Sequence, residues 1–362
     1  MSASARKLAP ARIVVALLFT GTIVLIGLDT TRGQNESVPA AQVVETIARV
    51  RASSPGEVGS LNALPLGQKL LAEQRYSEAG ELFQALLEKW PRQPGVLYGA
   101  ALAMFNLGHA AEAEPLVRSA AEISLAGVDD KSATMDQRLR GADALVLLAV
   151  VLGARGADTE ALKSVQRAVA LAPQNFDAQF TLGRALYSVG DPANAVKAFR
   201  AALKLKPDDA RSLFFLATAL EGAGDIEAAL IAYRDLAARH PQAAEGHLGS
   251  GVLLIKRGGD DTEKGIQELR LAVRIDPDLY EAQVTLGRAL LMHKLVEESI
   301  EHLQRAAQLA PANPEPHYQL ALAYRRLGQN DKAVEETAIV KRIHATRRGD
   351  GAQNDGAARP NQ

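Results

Sequence analysis

Between Phe176 and Asp209 the chain shows two apolar stripes with a break between them. The first carries Leu182, Gly183 and Leu186. The second carries Ala195, Phe199 and Ala202, at steps of four and three. Such steps return side chains to one face of an α-helix, so the segment predicts two amphipathic helices joined by a turn. The same segment recurs along the chain. Pro173, Pro207, Pro241, Pro277 and Pro311 are spaced by 34, 34, 36 and 34 residues. Gly156, Gly190, Gly224 and Gly258 keep the 34-residue step, and so do Ala161, Ala195 and Ala229. Each residue type has a physical task. The glycine takes the left-handed conformation that ends a first helix. The proline cannot continue the second helix. The alanines let two helix axes approach closely.

The segment Leu182-Gly183, Tyr187, Gly190, Ala195, Phe199, Ala202 and Pro207 resembles the tetratricopeptide repeat, with its small residues at positions 8, 20 and 27 and its proline at 32. Eight repeats follow from that frame: 60–93, 94–127, 142–175, 176–209, 210–243, 244–279, 280–313 and 314–347. The first two, 60–127, form an N-terminal pair. An insertion at 128–141 precedes the other six, 142–347. The resemblance implies an all-α fold, a right-handed superhelical solenoid of stacked helix-turn-helix repeats. Repeat 60–93 keeps Leu66-Gly67, Tyr76, Ala79, Phe83 and Pro91, whereas 94–127 has Leu125 at the proline position. The insertion, with Asp129-Asp130-Lys131, either extends a helix or forms a loop. Repeat 244–279 carries two extra turn residues within Gly258-Gly259-Asp260-Asp261. Lys294 replaces the turn glycine and Ser299 the alanine in 280–313, which predicts a strained or reshaped turn. Thr337, Lys341 and Arg342 give the last repeat a polar second helix, as the end of a stack in water requires. The Gly- and Asn-containing tail 348–362 is read as disordered.

A different pattern precedes the repeats. Arg6, Lys7 and Arg12 lie in a basic stretch, 1–12, ahead of an uncharged apolar run, 13–28, closed by Asp29. The run is an N-terminal hydrophobic helix for targeting, either an uncleaved transmembrane signal anchor or a cleaved signal peptide. The basic flank predicts export of everything after it, so the repeats are expected on the extracytoplasmic, periplasmic side, membrane-anchored or released. Residues 29–59 read as a tether. One short amphipathic helix fits Val43–Arg51, and Ser53-Ser54-Pro55-Gly56 breaks it.

Composition narrows the function. Basic residues number 41 and acidic ones 42, a net charge of −1, so nothing marks a general nucleic-acid binder. The absence of cysteine excludes disulfides, thiolate metal sites and a cysteine nucleophile. None of the seven histidines stands in a His-x-x-x-His pattern, and there is no Gly-x-Ser-x-Gly elbow. The repeats leave no room for a catalytic domain. No enzyme activity, cofactor, metal or small-molecule substrate is therefore expected, and the partner is a protein or peptide.

Where that partner docks follows from the repeat frame. The resemblance places the first helices on a concave side, with positions 4, 7, 8 and 11 in the core. Positions 2, 5, 9 and 12 form a second stripe. It carries Tyr98, Phe105, Phe180, Arg184, Tyr187, Phe214, Leu248, Ile255, Val284, Arg288, Leu291, Tyr318 and Arg325. Aromatic and aliphatic residues with arginines among them have the composition of binding hot spots. They predict a groove for an extended peptide or amphipathic helix, with the arginines pairing acidic groups. A competing reading makes position 5 partly core and position 12 a support for the next repeat. Family members that grip a C-terminal carboxylate use Lys and Asn at positions 5 and 9. Here the pairs are Val146/Val150, Phe180/Arg184, Phe214/Thr218 and Val284/Arg288, so that mode is not expected. The leading expectation is an interaction scaffold that assists assembly of an envelope or secretion complex. The alternative is a regulatory or substrate-recruiting subunit of a separate enzyme, such as a glycosyltransferase, a kinase or a cytochrome maturation system.

Overall fold

The computed structural model describes residues 37–59, 62–126 and 133–356. The basic stretch, the apolar run 13–28 and the end of the tail lie outside them. Among the described residues there are 18 helices and no strand. No described helix is long and apolar enough to cross a membrane. The chain divides into two compact units, Met1–Phe215 and Leu216–Gln362.

The N-terminal unit holds α1 (Ala40–Ala52), α2 (Pro55–Val58), α3 (Ala63–Ala72), α4 (Tyr76–Lys89), α5 (Pro94–Asn106), α6 (Ala110–Leu125), α7 (Met135–Ala154), α8 (Asp158–Leu171), α9 (Phe176–Ser188) and α10 (Pro192–Leu205). It also holds the start of α11 (Ala210–Gly222). Helices pack as pairs, α3 with α4, α5 with α6, α7 with α8 and α9 with α10. The C-terminal unit holds α12 (Ile226–Arg239), α13 (Ala244–Arg257), α14 (Asp261–Ile275), α15 (Tyr280–Met292), α16 (Val296–Leu309), α17 (Pro314–Arg326) and α18 (Asn330–Gly356). Its pairs are α13 with α14, α15 with α16 and α17 with α18. The expected all-α stack of helix-turn-helix pairs is therefore present in each unit.

Two backbone features explain why this sequence repeats so regularly. The turn position of every repeat, residues 74, 108, 156, 190, 224, 258, 294 and 328, has a positive φ. Six of the eight are glycine, the residue that adopts this conformation freely. At position 8 the glycine gives way to a large side chain of the paired helix. A Cβ on Gly183 would lie 2.6 Å from the Phe199 ring, and one on Gly287 would lie 2.6 Å from Leu303. Phe199 and Leu303 are fully buried, so neither has room to yield.

Four expectations need correction or refinement. Of the two outcomes expected at Lys294, the turn is strained rather than reshaped: the lysine takes φ +66°, the positive-φ conformation of its glycine counterparts. Ser299 fits the alanine site because its hydroxyl donates to the Val296 carbonyl at 2.6 Å while wholly buried. Residues 40–58 belong to the fold rather than to a tether. Val43, Ile47 and Val50 are buried, and α1 packs on α3 and α4. The Val38 N–H donates to the Glu73 carboxylate at 3.2 Å, and the Trp90 indole N–H donates to the Pro55 carbonyl at 3.0 Å. The physical reason is that the first helix pair of a stack has an outer apolar face with no preceding repeat to cover it. The insertion is helical from Met135, where Thr134 and Gln137 form a reciprocal N-terminal cap that extends α7 ahead of its repeat. At the other end α18 continues to Gly356, past residue 347 where the tail was expected to leave the fold.

Candidate peptide-binding face

The first helices carry every residue of the expected stripe, but burial divides them. In the N-terminal unit Tyr98 and Phe105 on α5, Arg184 and Tyr187 on α9, and Phe214 on α11 are half-buried, while Phe180 is 6% exposed. In the C-terminal unit Leu248 and Ile255 on α13 are half-buried, and Val284 and Leu291 on α15 are buried. Of the stripe, only Arg288, Tyr318 and Arg325 are exposed. An uninterrupted apolar groove is thus not what the stripe forms. Val284 packs with Leu303, Leu320 and Tyr324, and Leu291 packs with Val296 and Ala323, residues of the paired and following helices. Positions 5 and 12 there support the stack.

Phe180 does the same at the centre of an aromatic cluster. Its ring stacks on Phe176 at 6.0 Å and meets Phe199 and Phe215 edge-on at 5.9 and 5.6 Å. Phe214 meets Phe215 at 5.3 Å. Cations lie over this bed. The Arg211 guanidinium is 5.1 Å from the Phe180 centroid, and Arg184 is 6.0 Å from Phe180 and 5.9 Å from Phe215. Lys206 sits 4.3 Å over Phe176. Burial, together with the neighbouring Arg211, pushes the Arg184 guanidinium down to about 10. Arg211 reaches Asp209 at 3.2 Å on its other side.

The equivalent register in the C-terminal unit gives this arrangement its meaning. Position 9 of one repeat faces position 2 of the next, and there Arg288 meets Glu315 at 3.3 Å. Position 2 is acidic in most repeats, with Asp143, Asp177, Glu245, Glu281 and Glu315. Leu61, Gly95 and Arg211 are the exceptions, and Arg211 alone puts a second cation near Arg184 at this position. The expected list included Arg184 and missed Arg211, Asp143 and Asp177. Position 2 was part of the expected stripe, and reading its charges repeat by repeat is the signal that finds them.

A second feature lies earlier on the same face. A cavity of about 220 Å³ opens between α3, α5, the end of α6 and α7, lined by Gln68, Leu71, Tyr98, Leu102, Asp143 and Ala144 among others. The Asn175 amide donates to Asp143 at 2.9 Å. Burial raises the Asp143 carboxyl above its ordinary range, the amide opposes this, and Asp177 adds to it. Burial also raises the Tyr98 phenol, with Asp143 and Asp177 contributing.

Paired helices, a positive-φ turn in every repeat and a glycine or alanine at position 8 against the paired helix define a helical-repeat protein. Tetratricopeptide-repeat models match residues 70–124, 180–244, 216–280 and 296–328, just over half of the chain in total. The chain belongs to the tetratricopeptide-repeat family. No curated protein matches it. Among solved structures it is similar to YrrB, titled a TPR protein with an unusual peptide-binding site, at 21% identity over 56% of this chain and 96% of that one, with a TM-score of 0.43. It is also similar to MamA from Desulfovibrio magneticus RS-1, residues 41 to the end, at 20% identity over 47% and 96% of the two chains, with a TM-score of 0.42. Neither likeness bears on what the present chain binds.

Proposed function

We propose that this protein is an interaction scaffold whose first-helix face takes an extended peptide or amphipathic helix carrying acidic groups, on the extracytoplasmic side of a membrane. The observation that carries the reading is the cation pair Arg184 and Arg211 on the phenylalanine bed. Two guanidiniums held side by side repel, and an incoming carboxylate relieves that repulsion while accepting hydrogen bonds from both. The half-buried Tyr187, Phe214 and Phe215 supply apolar contact for the rest of the segment, and partly desolvated charges make such contacts stronger than on open surface. Assembly of an envelope or secretion complex is the role this reading serves.

The test is direct. A fluorescein-labelled decapeptide containing two glutamates and two leucines is titrated against the protein, beside the same peptide with glutamines. The acidic peptide is expected to bind at least about tenfold more tightly, and Arg184→Gln with Arg211→Gln to remove that preference. Arg211 is exposed and Arg184 half-buried, and glutamine keeps a polar head at both, so the helical circular-dichroism signal is expected to stay unchanged. Equal binding of the two peptides would sink the proposal.

A further inference from the structure

The cavity between α3, α5 and α7 has features that the acidic-peptide reading does not use. Its walls are small or apolar: Leu71 on α3, Pro94, Gly95, Gly99 and Leu102 on α5, and Ala144 on α7. Its polar groups are Tyr98, Asp143, Gln68, Ser124 and Arg140. Arg140 does not supply the cation for Asp143. It turns back along its own helix to Asp136, at 2.6 Å, in a pair that is largely exposed. Among the described residues Asp143 makes no ion pair. Its hydrogen bond comes from the neutral Asn175 amide, and Asp177 is close enough to add a second negative charge. A carboxylate withdrawn from water beside another carboxylate is held at a cost.

We infer that this cavity is a subsite for a basic side chain of the bound peptide, whose stem packs on Leu71, Leu102 and the glycine faces of α5 while its cationic head meets Asp143. The Tyr98 ring offers a face for a guanidinium, and its hydroxyl offers an acceptor beside the carboxylate. An arginine or lysine stem is long enough to keep the peptide backbone at the mouth while the charge reaches the floor.

The inference rests on the first-helix face being the binding face, and it adds polarity to the occupant. Asp143 lies one first helix before Arg184 and two before Arg211. At roughly 10 Å per packed helix, the basic and acidic groups of the peptide stand ~10–20 Å apart, about three to six extended residues. The peptide is therefore bipolar, with its basic residue at α5–α7 and its acidic residues at α9–α11.

The probe is the capped tripeptide Gly-Arg-Gly, titrated against the full chain and followed by backbone amide shifts. Capped Gly-citrulline-Gly, of the same shape without the charge, is the control. The arginine tripeptide is expected to saturate in the millimolar range with shifts centred on residues 95–99 and 143–144. Citrulline is expected to bind at least about fivefold more weakly. Asp143→Asn keeps the amide contact with Asn175 and is expected to abolish the difference between the two tripeptides. Tyr98→Phe provides a second variant that leaves the ring in place, with a smaller loss expected. Equal affinity of the two tripeptides for the unmodified protein, unchanged discrimination in Asp143→Asn, or no saturable shift at residues 95–99 would each overturn the inference. Capped Gly-Glu-Gly on the same sample reports on Arg184 and Arg211. Loss of its signal alone removes the acidic-peptide reading, and loss of the arginine signal alone removes the basic subsite.

Discussion

Gln74 and Lys294 occupy positions that every other repeat gives to glycine, and both adopt the left-handed backbone, with φ +60° and +66°. A side chain there suffers a Cβ clash with the following carbonyl worth ~1–2 kcal/mol. Cooperative packing on both sides of the turn imposes the geometry regardless. The Leu295 N–H donates to the Leu290 carbonyl at 3.0 Å and the Lys294 N–H to Leu291 at 3.3 Å, the pattern that the glycine turns also show. Lys294→Gly is therefore expected to stabilise the protein by about 1 kcal/mol, the relief of strain less the added freedom of the unfolded chain. Urea unfolding of Lys294→Gly beside Lys294→Ala checks this, because alanine keeps the clash and is expected to give no gain. The sequence marks the site as irregular, yet substitution alone does not reveal whether the turn or the residue gives way. The packed helices around it decide that. Likewise the glycine at 183 is legible as a small residue, but its partner, the Phe199 ring at 2.6 Å from a Cβ there, emerges only from the pairing of α9 with α10.

Within the C-terminal unit, helix pairing is fastened by one polar bridge per repeat. His247 meets Glu268 at 2.7 Å, Gln283 meets His302 at 2.8 Å, and His317 meets Glu336 at 2.6 Å. Each bridge joins position 4 of the first helix to the second helix, and the middle repeat exchanges the two roles. Gln283 also donates to the Pro277 carbonyl at 2.8 Å, so its side-chain oxygen is left to accept from the His302 Nδ1–H. Burial holds the His302 imidazole below its ordinary value of 6.5, with Arg270 acting in the same direction and Glu301 and Glu298 opposing it. The folded state therefore binds the proton less readily than the unfolded chain. The stability this gives is complete above the unfolded value and is lost as pH falls below 6.5 toward the folded value. Unfolding midpoints between pH 7.5 and 5 are expected to fall more steeply for the wild type than for His302→Gln. Parallel slopes would rule His302 out as the titrating group. None of the three bridges is visible as a motif, because their members lie 19 to 21 residues apart on different helices. The helix of α1 was legible as an amphipathic stretch, but its docking on the first repeat was hidden for a related reason. It lies outside the 34-residue frame, and its role depends on the exposed face of the helix pair it covers.

At the scale of the molecule, periodicity revealed the repeats because turn geometry and close helix contact fix residue type at a regular step. The binding face was less legible, since a side chain at positions 2, 5, 9 or 12 serves either the stack or the solvent side according to its neighbours. The cellular side of that face depends on Arg6, Lys7, Arg12 and the apolar run 13–28. With the anchor retained, the fold begins close to the membrane. Val38 is already held by Glu73 and Arg75. The nine steps from Leu28 to Ser37 span at most ~30 Å when fully extended. The chain has no cysteine, so a single introduced thiol reports its own location without background. Val334 is 68% exposed on α18, which makes Val334→Cys accessible without disturbing the core. In intact spheroplasts of a bacterial host, a membrane-impermeant maleimide is expected to label this variant as fully as it does after lysis. Retention of the labelled protein in carbonate-washed membranes identifies an uncleaved anchor, and its release identifies cleavage. Labelling that appears only after lysis would place the repeats in the cytoplasm, and the peptide that meets Arg184 and Asp143 would then have to be sought there.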